Sequence, residues 1–253
     1  MEVTDVLNVL FRWIHIVAGV MWVGFGFWIV LVQTPSVGEL DPPTRAKLAP
    51  VFLPRALYFF RWSSIYAWVT GIFLLGLVFY HGGIVFEDDG GWGFASILSL
   101  VIVFGMYGVY NLLIKSGLGK NFSAFGVVAL VIVAATIYLM REVAGFTYRA
   151  YNIHLGAMFG TIMLANGMRI AAMQRRMMAA TKEGKAPDQG EMELAGILSK
   201  HSVYLSVPLI YTMINMHTVV PGANSIAYLF GATLVGWLLV AFIFNRAGRI
   251  KGS

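Results

Sequence analysis

The sequence predicts an all-α membrane protein, a bundle of about seven transmembrane helices that forms a single domain over residues 1–253. Three observations support this prediction. Hydrophobic residues make up 58% of the chain, and charged residues only 12%, well below the roughly 25% of a soluble domain. The mean hydropathy is +0.75. Apolar runs of about 20 residues, the length that a helix needs to cross a bilayer, recur along the chain.

Seven apolar segments account for the predicted spans. They cover residues 7–32, 57–80, 97–114, 122–140, 150–174, 202–219 and 225–244. None of them alternates with a period of two, as the strands of a membrane barrel do. The frequent glycines, 28 in all, are typical of helices that pack closely in a membrane.

The distribution of Lys and Arg predicts how the bundle lies in the membrane. One side of the spans is rich in basic loop residues: Arg45, Lys47, Arg55, Lys115, Lys120, Arg175, Arg176, Lys182, Lys185, Lys200, Arg246, Arg249 and Lys251. The other side has only Arg12, Arg141 and Arg149. The rich side is expected to be cytoplasmic, which places the N-terminus outside the membrane and the C-terminus inside. The second outer loop then carries the acids Glu87, Asp88 and Asp89.

Absent residue types exclude several classes of protein. The chain has no cysteine, which excludes disulfides, thiolate zinc sites, protein-ligated iron–sulfur clusters and covalently bound c-type haem. It has no GxxxxGK[ST], HExxH or GxSxG motif, so nothing supports ATP hydrolysis or metalloprotease activity. The net charge of +6 comes from basic residues between apolar runs, so the expected partner is the lipid bilayer and not a nucleic acid.

The depth of the histidines is the main functional signal. His15 lies about 12 Å down the first span and His154 about 6 Å down the fifth, both from the outer side. His217 and His81 lie near the same side, and His201 lies at the cytoplasmic end. Ionisable side chains within a membrane are costly and often functional. Imidazole ligates haem iron or a transition metal without the help of thiolates.

Two helix faces carry the other candidate residues. In the first span Arg12, His15, Gly19 and Trp22 share one face, which suits either a planar macrocycle or ordinary helix packing. In the sixth span Asn215 lies close to His217, beyond a proline that often marks a kink beside a cavity. These two residues either orient a polar ligand or bond to neighbouring helices.

Three stretches of the chain resemble a known family. They are FRWIHIVAGVMWVGFGFW (11–28), YNIHLGAMFGTIMLANGMRIAAMQ (151–174) and SKHSVYLSVPLIYTMINMH (199–217). They resemble the membrane domain of bacterial cytochrome-c-coupled urate oxidases, also called urate hydroxylases. The H-x6-W-x-G pattern of the first stretch is also similar to protoporphyrinogen-oxidase and copper-resistance membrane proteins. In the third stretch the family pattern has His-Asn-Asn-Tyr-Leu, and here residues 201–205 read His-Ser-Val-Tyr-Leu.

The resemblance implies a membrane oxidoreductase of purine catabolism that oxidises urate or a related small molecule. Electrons are then expected to pass to a separate cytochrome c or another redox protein, because a chain without cysteine has no CxxCH motif of its own. We expect Arg12, Asn215 and His217 to act on the substrate.

The expected cofactor is haem b. Its iron is predicted to be held by His15 and His154, with His217 as an alternative ligand and with Gly19 and Trp22 lining the ring. His201 is excluded from this pair because it lies about 24 Å along its own helix from His217. An alternative function is a haem-b electron-transfer anchor for a separate dehydrogenase, without substrate chemistry of its own. A transporter without haem is disfavoured because no acid lies in the middle of a span.

Overall fold

The computed structural model describes residues 2–86, 92–217 and 226–250. Within these ranges the chain is 88% helical and has no strands, apart from an isolated bridge between Phe86 and Phe146. The all-α prediction is therefore confirmed. The predicted acidic loop residues 87–89, and residues 218, 219 and 225 at the ends of two predicted spans, lie outside the described residues.

The described residues form eight α-helices. Their bounds are α1 (Val3–Trp28), α2 (Thr34–Glu39), α3 (Pro42–Leu74), α4 (Phe94–Lys115), α5 (Phe122–Tyr138), α6 (Tyr148–Lys182), α7 (Gln189–Asn215) and α8 (Ile226–Ala247). Three wide π-helical turns continue α1, α3 and α5: Ile29–Gln33, Leu75–Tyr80 and Leu139–Val143. A short 3₁₀ turn, Leu118–Lys120, joins α4 to α5.

Six helical segments among the described residues are long and apolar enough to cross a membrane. They are Val3–Glu39, Pro50–Tyr80, Phe94–Lys115, Phe122–Val143, Tyr148–Lys182 and Ala227–Ala247, and each overlaps one predicted span. The remaining predicted span, 202–219, falls mainly in α7, which is not among the six. Its polar residues, including His201, Ser206 and Asn215, lower its hydropathy. These helices are compatible with a multi-pass membrane protein.

The helix pairs α1–α3 and α6–α7 are antiparallel. In α1 and α3, Phe11 stacks on Phe73 and Phe25 stacks on Phe59, so the two residue orders run in opposite directions. The α6 and α7 helices meet through Asn152 and Asn215 at one end and through Arg176 and Glu191 at the other. The bundle thus has two ends, which we call the His154 end (where α1, α4 and α6 begin) and the His201 end (where α3, α5 and α7 begin).

The α6 helix is the centre of the bundle and packs against α3, α4 and α7. Glycines allow this close packing. A Cβ atom at Gly167 would lie 2.7 Å from the Phe60 ring of α3, and one at Gly156 would collide with Met213 of α7. Small residues at such crossings let two helix backbones approach each other.

Candidate functional site

The predicted face of α1 meets the neighbouring helix α3 at His15. Trp22 is buried, and Arg12, His15 and Gly19 are half-buried. The His15 Nδ1 atom lies 2.8 Å from the Ala67 carbonyl oxygen and 3.3 Å from Thr70 Oγ1. Because a carbonyl only accepts a hydrogen bond, Nδ1 of His15 carries the proton. The His15 ring is therefore held against α3.

His154 is completely buried at its end of the bundle, and both of its ring nitrogens are bonded. Nδ1 donates to the Ala150 carbonyl at 2.7 Å, so the unprotonated Nε2 accepts from the Tyr80 hydroxyl at 2.8 Å. The Phe146 ring packs on the imidazole, with a centroid separation of 4.8 Å. A metal ion bound by His154 would have to replace one of these two hydrogen bonds.

The positions of His15 and His154 do not fit a haem held between them. His15 packs on Ala67 and Thr70 of α3, and His154 packs on Tyr80, which is about 15 Å further along the same helix. Two axial imidazoles must reach a single iron atom from opposite sides. Among the residues that the structure describes, no group of three or more His, Asp or Glu side chains could hold a metal ion.

The predicted substrate residues gather at the His154 end. His217 is exposed, and the charges of Arg12 and Arg149 both act on it. Asn215, two residues earlier, is buried, and its Nδ2 atom donates to Asn152 Oδ1 at 3.5 Å. The structure thus brings Arg12, Asn215 and His217 to one region and adds Arg149, which the sequence reasoning counted only among the loop charges.

A second polar site lies toward the opposite end, between α4, α6 and α7. Asn166 Nδ2 donates to the Tyr110 hydroxyl at 2.9 Å, and His201 Nδ1 lies 3.3 Å from the same hydroxyl oxygen. Asn166 Nδ2 is also 3.4 Å from Ser202 Oγ. Asn166 is 0% exposed and His201 2%. We call these four residues, Tyr110, Asn166, His201 and Ser202, the Tyr110 cluster.

Two buried atoms of the Tyr110 cluster have no hydrogen-bond partner of normal geometry: Asn166 Oδ1 and His201 Nε2. Asn166 Nδ2 donates to the Tyr110 hydroxyl, and among the described residues His201 Nδ1 is the acceptor found within reach of that hydroxyl's own proton. His201 then carries its proton on Nε2, where the backbone of Gly119 is near enough to interact with the ring. The cluster therefore presents one unpaired acceptor and one weakly engaged donor.

Aromatic rings cover the Tyr110 cluster on the side of α5. The Phe125 and His201 ring centroids are 4.3 Å apart, and Phe122 is 5.4 Å from His201. The Phe122 ring also packs on Tyr204 at 4.4 Å and carries the ammonium group of Lys200 over its face at 4.5 Å. These flat surfaces exclude water and offer stacking contacts to a planar group.

A half-buried arginine lies one helical turn from Asn166. Arg169 Nη1 donates to Asn111 Oδ1 at 2.9 Å, and its charge also acts on Tyr110. None of the ion pairs found in the described part of the chain includes Arg169. This side of the cluster is therefore positively charged.

Sequence reasoning missed this second site for two reasons. The histidine pattern does not include Asn166 and Arg169, although an amide and a guanidinium three positions apart in an apolar helix are themselves a functional signal. The distance between His201 and His217 excludes His201 from a haem-ligating pair. It does not exclude His201 from binding other ligands.

The fold and its interior define an all-helical protein with six described helices long and apolar enough to span a membrane, and with buried ionisable and amide side chains. The chain belongs to the urate oxidase N-terminal family, whose model matches residues 37–251. The predicted resemblance is thereby confirmed, and the family indicates a urate-oxidase-like function. The matched range begins after α1, so it includes the Tyr110 cluster, Asn215 and His217 but not Arg12 or His15. No curated protein and no solved structure matches the chain.

Proposed function

We propose that the protein is a membrane redox enzyme that oxidises urate or a closely related planar molecule and passes the electrons to a cytochrome c. Hydroxylation of urate with an oxygen atom from water releases two protons and two electrons. Two molecules of a one-electron acceptor such as cytochrome c take up these electrons. A bacterial inner membrane is the proposed location.

The observation that carries this proposal is the Tyr110 cluster inside a chain of this family. A buried polar atom without a partner costs about 1–3 kcal/mol, and a helical bundle gains nothing from such an atom if it serves only as an anchor. Ionisable and amide side chains in a membrane interior are a functional site by default. This favours an enzyme over an electron-transfer anchor without substrate chemistry.

No haem is proposed between the helices, because His15 and His154 are not positioned to hold one iron atom between them. An absorption spectrum of the purified protein, oxidised and reduced, tests for haem independently of activity. Soret and α bands that shift on reduction support its presence, and a flat visible spectrum argues against it.

The direct test measures urate-dependent reduction of added cytochrome c by membranes that contain the protein. We expect reduction that needs both urate and the protein, and that is lost in the Asn166→Leu variant. His81→Ala, an exposed position in the turn after α3, is the control and retains activity. The proposal fails if folded protein reduces neither cytochrome c nor a soluble dye when urate is supplied.

A further inference from the structure

We propose that the Tyr110 cluster binds the edge of an anionic planar heterocycle in which a ring N–H lies next to a carbonyl group, with Arg169 as the counter-charge. Urate and related oxopurines have such an edge. This inference rests on the proposed function and assigns its substrate site, which differs from the site at the His154 end that the sequence predicts.

Hydrogen-bond complementarity is the first argument. Asn166 Oδ1 is an acceptor without a partner, and it suits a ring N–H. His201 Nε2 carries a proton, because His201 Nδ1 accepts the hydrogen bond from Tyr110. This N–H group suits a carbonyl oxygen of the ligand, which would replace its weak contact with Gly119. Both side chains are fixed by the same Tyr110 hydroxyl, so the donor and the acceptor are held on one small cluster.

Charge is the second argument. Arg169 is half-buried in a bundle of low dielectric constant, where a charge is normally paired. The acids that line a surface pocket together with Arg169 are already engaged, since Glu191 pairs with Arg176 and Asp188 caps the start of α7. Among the described residues, the hydrogen-bond partner of Arg169 is the neutral amide of Asn111. An anionic ligand would neutralise this arginine.

Shape is the third argument. The Phe122 and Phe125 rings close the cluster on one side, and both belong to α5. The Phe125 ring packs on both Tyr110 of α4 and His201 of α7. A planar ring would reach the cluster by displacing these two phenyl side chains, whose rings would then pack against it.

The test measures the Kd of urate for the full-length protein in detergent, by equilibrium dialysis. Arg169→Gln removes the charge but keeps a donor, and we expect the Kd to rise about tenfold or more. Arg169→Lys keeps the charge and restores part of the affinity. Arg55→Gln, the same change at an exposed arginine that bonds only its own helix, is the matched control and leaves the Kd unchanged.

A second set of ligands and variants tests the edge itself. Asn166→Leu removes the acceptor at similar volume, and we expect the Kd for urate to rise about tenfold or more. A urate methylated on the ring nitrogen that faces Asn166 should bind the wild type weakly, and the loss caused by Asn166→Leu should be small for this analogue. Thermal unfolding of each variant confirms that it is folded.

The possible outcomes separate this inference from the proposed function. An unchanged Kd in folded Arg169→Gln and Asn166→Leu proteins overturns the inference, and so does a rise in Kd for Arg12→Gln alone, which would favour the sequence-predicted site. Urate binding that depends on the cluster, without any reduction of cytochrome c, supports the site but contradicts the proposed redox function. Reduction that is insensitive to both variants supports the function but contradicts the site.

Discussion

His154 and His201 are both buried histidines that bond to a tyrosine, yet their surroundings differ in one respect. Both ring nitrogens of His154 have partners, in Ala150 and Tyr80, whereas Nε2 of His201 has none of normal geometry. A ring whose hydrogen bonds are complete stabilises the fold around it. A histidine ring that has one nitrogen without a well-formed hydrogen bond can still bond to a ligand. His201 is therefore the better candidate for ligand binding.

The largest expected effect is on stability at the His154 end. His154→Ala leaves the Tyr80 hydroxyl without its acceptor and opens a cavity beside Phe146, so we expect a loss of about 3 kcal/mol in the free energy of unfolding. Denaturant unfolding in detergent measures this loss, with His81→Ala as an exposed control that changes by less than about 0.5 kcal/mol. Equal stability of the two variants would contradict the comparison.

The corresponding change at His201 should separate stability from activity. His201→Phe removes the weakly engaged Nε2 donor and fills most of the space, so we expect a stability change of no more than about 1.5 kcal/mol. Urate-dependent reduction of cytochrome c should nevertheless fall about 100-fold, since a positioned donor is lost. Initial rates at saturating acceptor, together with unfolding curves, test both parts. Full activity in a folded His201→Phe protein would remove His201 from the proposed site.

A smaller effect is expected when only the partner of His154 is changed. Tyr80→Phe keeps the aromatic packing but removes the hydroxyl that donates to Nε2, at a cost of about 1 kcal/mol. A double-mutant cycle with His154→Ala checks whether the two losses belong to the same hydrogen bond. Strictly additive losses would show that the bond contributes nothing.

The smallest effect is expected at His217. This side chain is exposed, so His217→Ala should change the free energy of unfolding by less than about 0.5 kcal/mol. The same unfolding measurement serves as the check. A loss of more than 1 kcal/mol would mean that His217 supports the fold as His154 does.

The fold could be predicted from the sequence much further than the site could. Hydropathy alone located six of the long helices. An apolar run long enough to cross a membrane forms a helix, because a helix satisfies its backbone hydrogen bonds within the segment. The α7 helix is the exception in composition, since it carries polar residues that are buried against the other helices: His201, Ser206, Thr212 and Asn215. Family membership could also be predicted, from stretches 151–174 and 199–217.

The candidate site could be predicted only in part. Helical spacing puts Arg12, His15, Gly19 and Trp22 on one face of α1, because residues three and four apart share a face, and the structure shows His15 of this face bonded to α3. It could not show that His15 and His154 pack at different levels of α3. Nor could it show that Asn166 Oδ1 lacks a partner, since that depends on how Tyr110 and Ser202 meet it from two other helices.

The wide turn Leu75–Tyr80 sets the angle at which α3 presents its last residues. In an α-helix each residue advances the side-chain direction by about 100°, and a π-helical turn holds one extra residue. That extra residue shifts the angular phase of Tyr80 relative to the face of α3 that meets α1. One helix can therefore point Ala67 and Thr70 at His15 and still point Tyr80 at His154 on a different neighbour. Deletion of a single residue from this turn would rotate the tyrosine by about a quarter of a circle without shortening any apolar span enough to leave the membrane.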